Sequence, residues 1–192
     1  METLLSILVG VGLSAACGFR VFIPPLIISI AALSGQLTLA PGFDWMGTYP
    51  ALIAFAVATV LEIAAYYIPW LDNLLDTIAT PTAIVAGTVM TAAMVTNMDP
   101  FLKWTLAVIA GGGAAAVVQG STVFARGLST VGTGGLANPI VATVELGGSI
   151  LTTILSIIVP GLALGLLVVF AVVIIRKLAK QKSLKAAPGC SA

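Results

Sequence analysis

The sequence contains no histidine. It has two cysteines, Cys17 and Cys190, one inside an apolar run and one in a polar tail. Together these absences exclude the usual zinc, haem and iron–sulfur ligand sets. They also exclude Ser-His-Asp, Cys-His and zinc-protease arrangements. Every lysine is terminal or interfacial, so a Ser-Lys dyad at membrane depth has no base. No enzyme, cofactor or metal is therefore expected, and two isolated cysteines give no disulfide framework.

Charge is the second scarcity. Only 8% of the 192 residues are charged, whereas a soluble domain carries roughly 25%. The hydrophobic share is 59% and the mean hydropathy +1.16. A soluble fold so poor in polar groups would lack a solvated surface. In a bilayer the backbone must satisfy its own hydrogen bonds, which leaves helices or closed barrels. The apolar runs are continuous and rich in Leu, Ala, Ile and Gly, and they lack the alternation of barrel strands. The expected fold is all-α, a polytopic transmembrane helical bundle. The net charge of +1 offers nothing to nucleic acid.

Residues 4–33 form the first run, about 45 Å as straight helix, longer than a bilayer core needs. Pro24 and Pro25 cannot lie within an unbroken helix, so this run is expected to break near Arg20. A polar connector at 34–48 carries Asp44 and Trp45. The second run, 50–68, carries Glu62, with Tyr66, Tyr67 and Trp70 at its far interface. A short amphipathic piece at 69–76 places Asp72 and Asp76 on one helical face. The third run spans about 81–95.

The fourth run spans about 101–124 around Gly111-Gly112-Gly113-Ala114-Ala115-Ala116, and Arg126 closes it. Small residues of this kind let membrane helices approach closely, within the chain or between copies. The stretch 127–139 reads as a hinge or re-entrant turn, with Asn138 as N-cap of the next helix. Gly132-Thr133-Gly134-Gly135 lacks the Lys-Ser/Thr of a phosphate loop. The last run, 140–175, carries Glu145 and is divided at Val159-Pro160-Gly161.

The count is about six spans, or five if the last run is one bent helix. A transmembrane domain at 1–178 precedes a basic tail at 179–192, expected to be disordered. Five of the eight basic residues (Arg176, Lys177, Lys180, Lys182 and Lys185) place the C-terminus in the cytoplasm. The N-terminus lacks a basic n-region and is read as a retained first helix. Short matches, such as Ala58–Glu62 with Ala142–Glu145, suggest an inverted 3+3 repeat of residues 1–97 and 98–178.

An ionisable side chain at membrane depth is paired or lines a polar cavity. Arg20 is expected to pair with Glu62 or Glu145. Asp72, Asp76 and Asn138 complete the candidate ion or substrate site, although the stronger reading of Asp72 and Asp76 is that they cap and solvate a surface helix. Two functions follow. One is a small transporter or channel for an ion or small solute, working at a midplane site of Arg20, Glu62 and Glu145, in a homo-oligomer within the lipid bilayer. The other is a non-transporting scaffold, assembly factor or lipid-binding protein in which these charges only fix the packing.

The run Gly12-Leu13-Ser14-Ala15-Ala16-Cys17-Gly18-Phe19-Arg20-Val21-Phe22-Ile23-Pro24 resembles the opening of the DUF4126 family of uncharacterised bacterial integral membrane proteins. Glu62 with Ile68-Pro69-Trp70-Leu71-Asp72-Asn73-Leu74-Leu75-Asp76, and Ala137-Asn138-Pro139 with Glu145, resemble it too. The resemblance covers nearly the whole chain except the basic tail. It implies a multi-pass protein of the bacterial cytoplasmic membrane and no particular activity.

Overall fold

The structure is a computed structural model that describes residues 2–66 and 69–160, with isolated positions 165, 168, 169, 172, 173 and 176 beyond. For residues 66 and 69–77 it describes the backbone alone. Most of residues 161–175, the second part of the last apolar run, and the whole basic tail lie outside the described residues.

The described residues are mostly helical, with no strand among them. The helices are α1 (Glu2–Phe19), α2 (Ile23–Leu33), α3 (Tyr49–Tyr66), α4 (Pro69–Met94), α5 (Pro100–Leu106), α6 (Gly113–Thr133) and α7 (Asn138–Ile158). A π-helical segment, Ala107–Gly112, joins α5 to α6 without a break. Among the described residues, two helices are long and apolar enough to cross a membrane: the continuous Pro100–Thr133 and Asn138–Ile158. Four shorter apolar helices accompany them: Glu2–Cys17, Ile23–Leu33, Tyr49–Ala65 and Ile78–Met94.

Proline chemistry dictates the break after α1. A proline ring collides with the carbonyl four residues earlier, here those of Arg20 and Val21. The last α-type bond of α1 is Arg20 N–H to Ala16 O at 3.2 Å. Pro24 and Pro25 then fall in the first turn of α2, where the missing donors would have had no helical partner.

The direction of α2 is not what a simple kink would give. α1 runs antiparallel to α4: a Cβ on Gly10 would lie 2.9 Å from Thr91 Cα, and Ser14 Oγ donates to the Gly87 carbonyl one turn further on. The chain after α2 returns to the starting end of α1, where Ala40 N–H binds Ala93 O at 2.8 Å. Ala32 near the end of α2 packs beside Gly47 in the same loop region. α1 and α2 therefore form a helical hairpin closed at residues 20–22.

α6 also runs antiparallel to α4, because Gly111 approaches Thr91 and Gly87 while Gly112 approaches Thr88 and Ile84. α1 and α6 are thus parallel. An inverted repeat of 1–97 and 98–178 needs them opposed, and the return of α2 is the physical reason they are not. The Gly111, Gly112 and Ala115 face packs inside the chain, against Gly87, Thr88 and Gly18.

α1 is the central helix, packed against α4, the π segment, α6 and α7. Its Gly10, Gly12, Leu13, Ser14, Ala15, Ala16, Cys17 and Gly18 are all buried. Small side chains make this possible: a Cβ on Gly18 would sit 2.6 Å from Ala115 O.

Two further boundaries differ from the sequence reading. Pro69–Met94 is one helix that continues through Pro81, not a surface piece followed by a short span. Membrane helices tolerate such a proline where neighbouring groups satisfy the freed backbone. α6 continues past Arg126 to Thr133 and ends in a tight turn, with Gly134 at φ 64° and Gly135 at φ 90°. The expected hinge at 127–139 is mostly helix.

Polarity is arranged inside out. On α7 the buried face reads Asn138, Ala142, Glu145, Ser149, Thr153 and Ser156, while Ile140, Val144, Leu151 and Ile158 are exposed. α3 likewise exposes Ile53, Val57, Val60 and Leu61 and buries Thr59 and Glu62.

Candidate functional site

The break at residues 20–22 is held by two glutamates from two different helices. Glu62 reaches from α3 and accepts Val21 N–H at 2.8 Å through Oε1 and Phe22 N–H at 3.1 Å through Oε2. Pro24 and Pro25 have no N–H, so these two amides are prominent donors at the start of α2. A carboxylate there complements the positive end of the helix dipole.

The second glutamate comes from α7. Glu145 Oε1 accepts from Arg126 Nε at 3.0 Å, and Oε2 pairs with Arg126 Nη2. This two-pronged pairing is the geometry that suits a guanidinium. Arg20 Nη2 lies 3.8 Å from the same Glu145 Oε2 and donates to the Ala142 carbonyl at 2.9 Å. One carboxylate therefore bridges two guanidinium groups. Both arginines are also close enough to act electrostatically on Glu62.

All four side chains are inside the chain: Arg20 is 1% exposed, Glu145 3%, Arg126 4% and Glu62 8%. Two cations and two anions leave the group formally neutral, which is the condition for keeping charges in an apolar interior. The cluster lies seven residues into α7 from Asn138, roughly 10 Å from that helix end and about 20 Å from the other. It lies within about one turn of the middle of α7, on the side of the α6–α7 turn.

A hydroxyl line leads away from the cluster along α7. Ser149 Oγ donates to Ala16 O at 3.0 Å, which ties α7 to the last turn of α1. Thr153 and Ser156 bond back to the carbonyls of Ser149 and Thr152.

Of the residues singled out from the sequence, Arg20, Glu62 and Glu145 meet here, and the Arg20 partner seen at ion-pair distance is Glu145. Asn138 does not cap α7: the cap position is Ala137, and Asn138 Nδ2 donates to Thr130 Oγ1 at 3.2 Å, fastening the turn between α6 and α7. The physical reason is its place one residue inside the helix, where the backbone is already helical. Asp72 and Asp76 are on α4, and their side chains lie outside the described residues. Among the described residues no group of three metal-ligating side chains forms.

Arg126 was not legible as a site residue. It follows Phe124 where the apolar run ends, and glycines and hydroxyl residues follow it. The signal that identifies it is periodicity: Gln119, Thr122 and Arg126 repeat on one face, which is the buried face of α6.

A family model described as a domain of unknown function, DUF4126, matches residues 7–180. The chain belongs to this family. The matched region contains the whole cluster, so the DUF4126 domain here is the helical body itself, site included. No curated protein and no solved structure matches the chain.

Proposed function

We propose that this protein is a small integral membrane transporter or channel for an ion or small solute, working at the Arg20, Glu62, Arg126 and Glu145 cluster. The observation that carries the reading is the meeting of these four ionisable groups at a broken helix in the interior of an apolar chain. Broken helices at membrane depth are tolerated where they line a cavity, and their ends commonly bind ions.

The bilayer setting rests on the outward apolar faces of α3 and α7, which lipid would cover. In this arrangement α3, α4, the continuous α5–α6 helix and α7 cross the membrane, the α1–α2 hairpin enters and returns on one side, and one more crossing is expected from the apolar sequence at 161–175. The basic residues at 176–185 then put the cluster end and the C-terminus on the cytoplasmic side of a bacterial inner membrane. A homo-oligomer suits so small a bundle.

A second reading is favoured by one observation, the near-complete burial of all four charges. It is a non-transporting scaffold, assembly factor or lipid-binding protein whose ion pairs fix helix packing. Flux in reconstituted vesicles separates the two. The transport reading expects wild type to dissipate an imposed ion or pH gradient and Glu62→Gln to lose or uncouple that flux. Vesicles that hold every gradient tested would favour the scaffold.

A further inference from the structure

The cluster also bears on what kind of solute would be carried. This inference rests on the transport reading. Arg20, Arg126 and Glu145 together carry one net positive charge, and Glu62 brings the group to neutrality. A cation would find both carboxylates already engaged, Glu62 by the Val21 and Phe22 amides and Glu145 by Arg126 and Arg20, with two guanidinium groups beside them. An anion would meet complementary groups, but only if the carboxylate already seated there moved away. A displaced, charged Glu62 would leave two negative charges where one stood, in an interior that disfavours any uncompensated charge.

Neutrality is kept when the incoming anion arrives together with a proton for Glu62, the carboxylate it displaces. We propose that the solute is a small monovalent anion, which replaces the Glu62 carboxylate on the Val21 and Phe22 amides beside Arg20 and Arg126 while Glu62 accepts a proton.

The charge count before and after is the same. Before, the site holds two guanidinium ions and two carboxylates. After, it holds two guanidinium ions, Glu145, the anion and a neutral Glu62 carboxylic acid. Among the described residues, the titratable or charged groups that face Glu62 are Arg20 at the break, Cys17 on α1 and Arg126 on α6. Glu145 on α7 reaches it through the two arginines. α2 contributes none, since Ile23–Leu33 holds no ionisable side chain. Because anion and proton are bound together and leave together, transport is electroneutral and the two move in the same direction.

Vesicles containing the full chain, loaded with chloride or nitrate salts of potassium, test this with an anion electrode, a potassium electrode and an external pH electrode. The expected result for wild type is anion release accompanied by protons without any potassium ionophore. Glu62→Gln should release the anion only when the potassium ionophore is added and without accompanying protons, and Arg20→Gln should release neither. Wild type alone decides the main point if a variant fails to fold. Potassium release without anion release overturns the anion assignment and leaves the transport reading standing. Anion release that requires the ionophore overturns the proton coupling. Release of neither ion overturns the transport reading, and the anion proposal with it.

Discussion

Glu62 Oε1 accepts the backbone N–H of Val21 at 2.8 Å, across 41 positions of sequence. That bond, with its neighbour to Phe22, joins the end of α3 to the point where α1 turns back as α2. A side chain acts here as the acceptor that an unbroken helix would have supplied from its own backbone.

Glu62→Leu should therefore destabilise the protein, because one buried and one part-buried amide lose their acceptor. Each unsatisfied donor costs roughly 1–3 kcal/mol. Unfolding in mixed detergent micelles, followed by circular dichroism, measures the loss. Wild-type stability in Glu62→Leu would mean that the break is held by other contacts.

Arg126→Ala should cost about 3–5 kcal/mol, since it leaves Glu145 without its two-pronged partner inside the bundle. Arg126→Ala combined with Glu145→Ala should cost less than the two single losses added together. The coupling energy from a double-mutant cycle checks this. Strict additivity would show that the pair contributes nothing as a pair.

Glycine packing makes a graded prediction. Gly87→Ala places a Cβ 2.7 Å from the Ala115 Cβ and 3.1 Å from Gly111 O, and Gly18→Ala meets Ala115 O at 2.6 Å. Both should lose roughly 1–3 kcal/mol by overpacking. Gly120→Ala and Gly127→Ala meet nothing within 4 Å on the same helical system and should be neutral or mildly stabilising. The same unfolding assay compares the four. Equal behaviour would contradict the close approach of α1, α4 and α6.

The α1–α2 hairpin predicts sidedness. In a cysteine-less background, Thr3→Cys and Gly42→Cys should react with an impermeant thiol reagent from the same side of the membrane. Gly134→Cys should react from the opposite side. Labelling of positions 3 and 42 from opposite sides would restore a single bent span.

The legible parts of this architecture are those written in strong local chemistry. Pro24 and Pro25 announce a break, and Glu62 and Glu145 stand out because nothing else in their runs is charged. The return of α2 was not legible, since a proline pair says that a helix stops but not where the chain goes next. Its direction depends on Ala40 meeting Ala93, a contact between residues far apart in sequence. Arg126 reads from the sequence as the end of a span, because the glycine and hydroxyl residues after it resemble a loop, yet in α6 they continue the helix. The partner of Arg20 was narrowed to two glutamates and no further, because choosing between them needs the α1–α7 packing that brings Ala142 beside it.

Amide hydrogen exchange at Val21 and Phe22 in a lipid nanodisc tests the central claim most directly. A cluster that opens to admit a solute must let Glu62 leave these two amides. They should then exchange much faster than the α1 amides at Gly10–Gly18, and Glu62→Gln should change their rate while leaving α1 unaltered. Protection at Val21 and Phe22 equal to that of the α1 core, in wild type and variant alike, would contradict a working site and leave a closed structural network.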